Sequence, residues 1–191
     1  MRRVVVSEFV TIDGVFEDPG GVDGFAHGGW AFRYSRGAEG DQFKLDEILS
    51  ADALLLGRRT YEGFAEAWPS RKDDAGFADK MNSVPKYVAS ETLDRATWNN
   101  STILTGDLVH AIQDLIQKGD GTVLVVGSGS VVRYLLDHDL VNELRLMVFP
   151  TVLGSGRQLF AGIGLPRDLT LKEVRPLGDT ALITLGRATT K

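Results

Sequence analysis

The chain contains no cysteine in its 191 residues, which removes both a disulfide framework and thiolate chemistry. Histidine is scarce: His27, His110 and His138 stand outside any metal-ligand spacing, and no His-Glu-x-x-His occurs. There is no Gly-x-Ser-x-Gly elbow, which argues against a hydrolase triad. No glycine run ends in Gly-Lys-Ser/Thr, so a P-loop is excluded. Basic surplus is lacking too, since 21 Lys and Arg face 26 Asp and Glu for a formal net charge of −5. That balance argues against a nucleic-acid partner. No apolar run is long enough to cross a membrane, and Met1-Arg2-Arg3 leads into too few apolar residues for a signal peptide. A cytoplasmic protein without a membrane partner is expected.

What remains has the make-up of a globular protein, with 43% hydrophobic and 25% charged residues. The length suits a single domain over 1–191 with a full core. Val4-Val5-Val6 through Val10 reads as a buried strand ended by Asp13-Gly14. Residues 15–38, rich in glycine and aromatics, read as a lid or binding loop. A helix is expected over 39–50, with Asp41, Leu45 and Ile48 at helical spacing, which puts Asp41 in the apolar stripe. Glu39, Asp46 and Glu47 fall on other faces and read as solvated. Strands are expected at 53–57, 85–89, 102–104, 122–126 and 143–149, with helices after the first, third and fourth of these. Two last strands, 169–174 and 181–185, pair around Leu177-Gly178-Asp179-Thr180, a hairpin signal. Strands alternating with helices predict an α/β fold: a three-layer α/β/α arrangement with a mainly parallel central sheet and a C-terminal antiparallel hairpin.

Two strand-to-helix junctions carry the chemistry. Leu54-Leu55-Leu56 stops at Gly57, and Arg58, Arg59 and Thr60 open the next helix. A helix start offers unpaired N–H groups and a positive dipole end, and guanidiniums add planar donors suited to phosphate. The alternative is a solvated arginine pair. Downstream, Val123-Leu124-Val125-Val126 runs into Gly127-Ser128-Gly129-Ser130. Val132 stands where the usual dinucleotide fingerprint has its third glycine, so this motif also reads as a tight turn. Together the junctions suggest a nucleotide with several phosphates, such as NADPH.

The order of these motifs resembles the dihydrofolate reductase superfamily, closest to the reductase domain of the bacterial riboflavin-biosynthesis deaminase/reductase. Five pieces carry the resemblance over nearly the whole chain: Ser7 through Ile12-Asp13-Gly14; Leu56-Gly57-Arg58-Arg59-Thr60-Tyr61-Glu62; Lys86-Tyr87-Val88-Ala89-Ser90; Val126-Gly127-Ser128-Gly129; and Pro150-Thr151-Val152-Leu153-Gly154-Ser155-Gly156, leading to Leu159-Phe160. The resemblance implies NADPH as cofactor. Gly57, Arg58, Arg59 and Thr60 would hold its phosphates, and Ser90 would sit by the 2′-phosphate. Gly127, Ser128, Gly129, Ser130 and Val131 would meet the pyrophosphate and the nicotinamide side, while Ile12 and Gly14 flank the nicotinamide. It also implies a substrate-gripping carboxylate on the helix before the second strand, for which Asp41 is the candidate; otherwise Asp41 is an exposed surface acid. Trp30 would either close over the substrate or pack in the core, and Thr151, Leu153 and Gly154 would line the substrate's far wall.

The implied activity is hydride transfer from NADPH to a pterin or ribosylaminopyrimidine, as in 5-amino-6-(5-phosphoribosylamino)uracil reductase. A true dihydrofolate reductase and a non-catalytic nucleotide-binding protein remain open. The terminal hairpin and the strand near Leu144, Leu146 and Val148 suggest a homodimer.

Overall fold

The computed structural model describes residues 1–188. In chain order the elements are β1 (Arg3–Thr11), a short 3-10 turn (Trp30–Arg33), α1 (Gly37–Ser50), β2 (Ala53–Gly57), α2 (Arg58–Ala67), α3 (Phe77–Ser83), β3 (Lys86–Ala89), β4 (Ser101–Leu104), α4 (Leu108–Gln117), β5 (Thr122–Val125), α5 (Gly129–Asp137), β6 (Glu143–Phe149), β7 (Leu169–Leu177) and β8 (Thr180–Arg187). The eight strands are hydrogen-bonded in the order β4-β3-β2-β5-β1-β6-β8-β7. The five from β4 to β1 are parallel, and β6, β8 and β7 pair antiparallel. This is the expected α/β/α class with its terminal hairpin.

Two compact units divide the chain: Met1–Val6 with Lys44–Val132, and Ser7–Phe43 with the chain from Arg133 onward. The first unit is built on β2, whose Leu54, Leu55 and Leu56 are fully buried because β3 and β5 flank it and helices cover it. A strand buried on both faces reads as an unbroken apolar run, which is why this one is plain in the sequence. Around it pack Val5, Ile48, Tyr61, Met81, Val88, Trp98 and Leu124. The core of the second unit is aromatic: Trp30, Met147, Phe149, Leu177 and Leu182, with Phe9, Tyr34, Phe43 and Leu153 against them.

Two expectations need correcting, for Asp41 and Glu47, and the structure decides one reading left open, that of Trp30. The buried positions of α1 are Gly40, Glu47 and Ile48, and Asp41 is exposed. The stripe lies one residue off because Gly40, lacking a side chain, lets the helix start close on Leu177; a Cβ there would stand 3.4 Å from that of Leu177. Glu47 is buried rather than solvated, and it keeps its charge compensated through Lys44 Nζ at 2.5 Å. Trp30 is fully buried and packs edge-on against Phe149 at 5.2 Å, with its indole N–H donating to the Glu17 carbonyl. It is a core residue and not a closing lid. Leu144 and Leu146 are buried, and the exposed apolar side chains include Leu169, Leu171 and Val174 of β7.

Candidate functional site

The phosphate-side cofactor candidates lie in the first unit, at the carboxyl ends of β2, β5 and, for Ser90, β3. Strands β2 and β5 are neighbours, yet β2 leads by α2 toward β3 on one side while β5 leads by α5 toward β6 on the other. Such a reversal is where open α/β sheets bind ligands. Here the two junctions touch. The Gly57 amide donates to the Gly127 carbonyl at 3.2 Å. A Cβ on Gly57 would collide with Ser128 Oγ, and one on Gly127, whose φ is +104°, would lie 2.6 Å from Thr60 Oγ1. Both glycines thus allow close approach, and the hydroxyls of Ser128 and Thr60 occupy the space over them.

Around that crossing, Ser128 Oγ and Ser130 Oγ are 2.8 Å apart, and the Val131 and Val132 amides both donate to the Ser128 carbonyl. Val131 is buried, so any role in ligand contact falls to its neighbours' backbone and hydroxyls. The Gly127–Ser128 peptide is cis. In the first turn of α2, Arg58 holds both carboxylate oxygens of Glu62, at 3.1 and 3.2 Å. Arg59 is exposed and forms no ion pair among the described residues. Thr60 is half-buried. Ser90, at the end of β3, is half-buried, and its Oγ accepts the amides of Thr92 at 3.1 Å and Leu93 at 3.0 Å. Its hydroxyl is thus turned onto its own loop, with the O–H still available to donate.

A buried cation marks the same unit. Lys86 is wholly buried at the start of β3, and its ammonium donates to the carbonyls of Val84 at 2.8 Å, Asn99 at 2.9 Å and Asn82 at 3.2 Å. The Trp98 ring lies 4.2 Å away. Burial pushes its pKa down to about 8. Trp98 in turn is held by Asn82 Oδ1 on its indole N–H and by the Tyr61 hydroxyl on its amide, so Lys86 braces α2, α3, β3 and β4 together.

The second unit carries the other candidates. Beyond β1, Ile12 is exposed and its amide donates to the Thr151 carbonyl at 2.9 Å. Gly14, with φ +77°, closes the turn onto the Thr11 carbonyl. Asp13 is the linchpin: its carboxylate accepts the Thr11 hydroxyl and the amides of Gly154 at 2.8 Å and Leu153 at 3.2 Å. The Thr11 hydroxyl leads in lowering its pKa; burial, next in size, opposes it, and the Gly154 and Leu153 amides each add a smaller lowering. Thr151, Leu153 and Gly154 are thereby fixed beside Ile12 and Gly14 in one loop cluster. Loop 15–38 is tied down as well, by Arg157 to Glu17 and by the buried Asp18 carboxylate on the amides of Val22 and Phe25. Asp41, the candidate acid, is exposed and pairs with Arg36 Nη2 at 2.6 Å. Sequence reasoning missed the roles of Asp13 and Arg36. Asp13 lies inside the recognised Ile12-Asp13-Gly14 motif; the hint for Arg36 is its position just before a helix with an acid five residues on.

Among the described residues no group of His, Asp and Glu is arranged to hold a metal, and no helix is long and apolar enough to cross a membrane.

Residues 2–183 match the family model of the RibD C-terminal domain, and the chain belongs to that family. The uncharacterized protein YyaP of Bacillus subtilis (strain 168) is 25% identical over 177 residues, covering 91% of this chain and 87% of that one. A Shewanella sp. PV-4 protein provisionally assigned to riboflavin biosynthesis has the same fold, with a TM-score of 0.77 at 22% identity over 99% of this chain and 100% of that one. The Thermotoga maritima diaminohydroxyphosphoribosylaminopyrimidine deaminase/5-amino-6-(5-phosphoribosylamino)uracil reductase matches with a TM-score of 0.64 at 17% identity, over 98% of this chain but 57% of its own. Dihydrofolate reductase of Enterococcus faecalis, solved with NADP(H), matches with a TM-score of 0.58 at 15% identity, over 98% of this chain and 97% of its own. At these identities the structural likeness establishes the dihydrofolate-reductase-like fold.

Proposed function

We propose that the protein is a cytoplasmic NADPH-dependent oxidoreductase, a single reductase domain over 1–191, that acts on a ribosylaminopyrimidine- or pterin-type substrate. The observation that carries this reading is the meeting of Gly57 and Gly127 at the switch point between β2 and β5. Two helix starts, the hydroxyls of Thr60, Ser128 and Ser130, and two arginines make a donor set that fits a dinucleotide carrying several phosphates. Family membership and the likeness to reductases support the same conclusion.

Bound NADPH would supply a hydride from its nicotinamide C4 to a C=N or C=O carbon. The chain's contribution is placement. Gly57, Arg58, Arg59 and Thr60, with Gly127 to Ser130, hold the phosphates, and the Ser90 hydroxyl donates to the 2′-phosphate. Ile12 and Gly14, pinned through Asp13 to Thr151, Leu153 and Gly154, present a rigid backbone surface to the nicotinamide and the substrate. Asp41 is solvent-facing, so it does not act as a buried proton donor. The exposed Leu169, Leu171 and Val174 of β7 provide an apolar surface for the homodimer.

Titration of the purified protein with NADPH and NADH by calorimetry tests the reading. NADPH binding that exceeds NADH binding at least tenfold is expected. Absence of binding to either would remove it.

A further inference from the structure

In the second unit, three guanidiniums stand against the aromatic cluster: Arg145 and Arg175 lie over Phe43, and Arg36 lies over Phe9. Arg36 precedes α1, and its guanidinium lies 5.5 Å from the Phe9 ring centroid. Phe9 is half-buried near the end of β1, ahead of the Ile12–Gly14 turn, and packs edge-on to Phe149 at 5.1 Å. Tyr34 completes the cluster at 6.3 Å from Phe149, with its hydroxyl donating to the Pro150 carbonyl. Thus the loop that bears Thr151 and the strand that leads to Ile12 share one aromatic floor, and Arg36 sits on it.

Three constraints hold that arginine. The Phe9 face supports the guanidinium plane. Asp41 Oδ1 takes Nη2 at 2.6 Å. Gly40 clears space for the root of the side chain, since a Cβ there would be 2.6 Å from Arg36 Cβ. The side chain is 30% exposed, and Asp41 occupies one of its nitrogens. A guanidinium has five N–H donors in a fixed fork, a shape that matches two oxygens of a phosphate or carboxylate.

We propose that Arg36 is a substrate-recognition residue that binds a phosphate or carboxylate group of the substrate, and that Asp41 is the positioning residue that orients it. The inference rests on the reductase reading for its substrate classes. The acid expected to grip the substrate thereby takes a different role, and the substrate is chosen by an anionic group and not by a ring of hydrogen-bond donors.

Binding is measured by calorimetry to two matched pairs. One pair is 5-amino-6-(5-phosphoribosylamino)uracil and its dephosphorylated ribosyl form; the other is 7,8-dihydrofolate and 7,8-dihydrobiopterin, which lacks the carboxylates. The wild type should favour the anionic member of one pair at least tenfold, and the pair that shows it tells phosphate from carboxylate. Arg36→Met should abolish the preference while leaving the neutral member's affinity unchanged, Arg36→Lys should restore part of it, and Asp41→Asn should weaken it severalfold with Asp41→Glu recovering it. Equal affinities within both pairs for the wild type, or a preference that survives Arg36→Met, overturns the proposal. NADPH binding is measured on the same samples. Loss of NADPH binding with an intact anion preference would sink the reductase reading and leave Arg36 in place.

Discussion

The Gly57 amide meets the Gly127 carbonyl at 3.2 Å, and each glycine leaves room for a side chain rooted in the other's junction: Ser128 over Gly57, Thr60 over Gly127. Adding a methyl at either position must displace the Ser128 or Thr60 hydroxyl. Gly127→Ala also places a side chain at a φ of +104°. The expected cost is about 1–3 kcal/mol of stability, with NADPH affinity falling by more than that loss of fold alone explains. Thermal unfolding with and without NADPH reads both; an unchanged NADPH-induced shift in Gly127→Ala would count against a cradle.

Arg58 and Arg59 differ in what they already hold. Arg58 is committed to Glu62, whereas Arg59 has no ion-pair partner among the described residues. Arg59→Ala should therefore weaken NADPH more than Arg58→Ala, by roughly tenfold or about 1.4 kcal/mol. Both should spare NADH relative to NADPH. Glu62→Gln, which frees Arg58, should tighten NADPH modestly. Cofactor titrations of the three variants decide it, and equal losses for the two cofactors would remove the arginines from the 2′-phosphate.

Asp13 gives an acid-side dependence. The Thr11 hydroxyl, with the Gly154 and Leu153 amides, holds its folded pKa below the usual 3.8. For an acid lowered on folding, the stabilisation is complete above the unfolded value and disappears as pH falls through the folded one. The wild type should therefore lose stability relative to Asp13→Asn as pH drops below 3.8. Denaturant midpoints of both proteins from about pH 5 down to about 2.5 supply the comparison, and parallel curves would refute it.

Lys86 gives the opposite edge. Its folded pKa of about 8 stands below the ordinary 10.5 because burial disfavours the ammonium. Between these values the unfolded chain binds more proton, so stability rises with pH across the window, by at most about 3 kcal/mol. Lys86→Met should be less stable at neutral pH, since three carbonyls lose their donor, and should lack that rise. Urea unfolding at about pH 7.5, 9 and 10 compares the two. A wild-type slope no steeper than that of Lys86→Met would refute the assignment.

Much of this is legible along the chain. β2 announces itself because a strand buried on both faces has no polar alternation to blur it. The hairpin of β7 and β8 is marked by Gly178, which takes a positive φ in the turn. Gly57 and Gly127 both stand out as junctions. Their contact is not visible, because 70 residues separate them and only the parallel pairing of β2 with β5 brings them together.

The side of a helix is harder to read. In α1 the inward face takes in Gly40 and Glu47 and leaves Asp41 out, since a glycine contact and a buried Lys44–Glu47 pair add to plain hydrophobic spacing, while Leu45 and Ile48 pack on the core as that spacing suggests. Lys86 looks like an ordinary strand-edge lysine, yet the carbonyls that bury it come from three other points of the chain.

Local pattern was enough to specify the class of fold, the succession of elements and the family motifs, because those depend on residue propensity and on apolar runs that neighbours in the chain already display. It took the folded molecule to establish that Trp30 is core, that Asp13 pins two loops and that Asp41 pairs with Arg36. These depend on which distant groups arrive within hydrogen-bonding or van der Waals range, and a linear pattern carries no record of such distances.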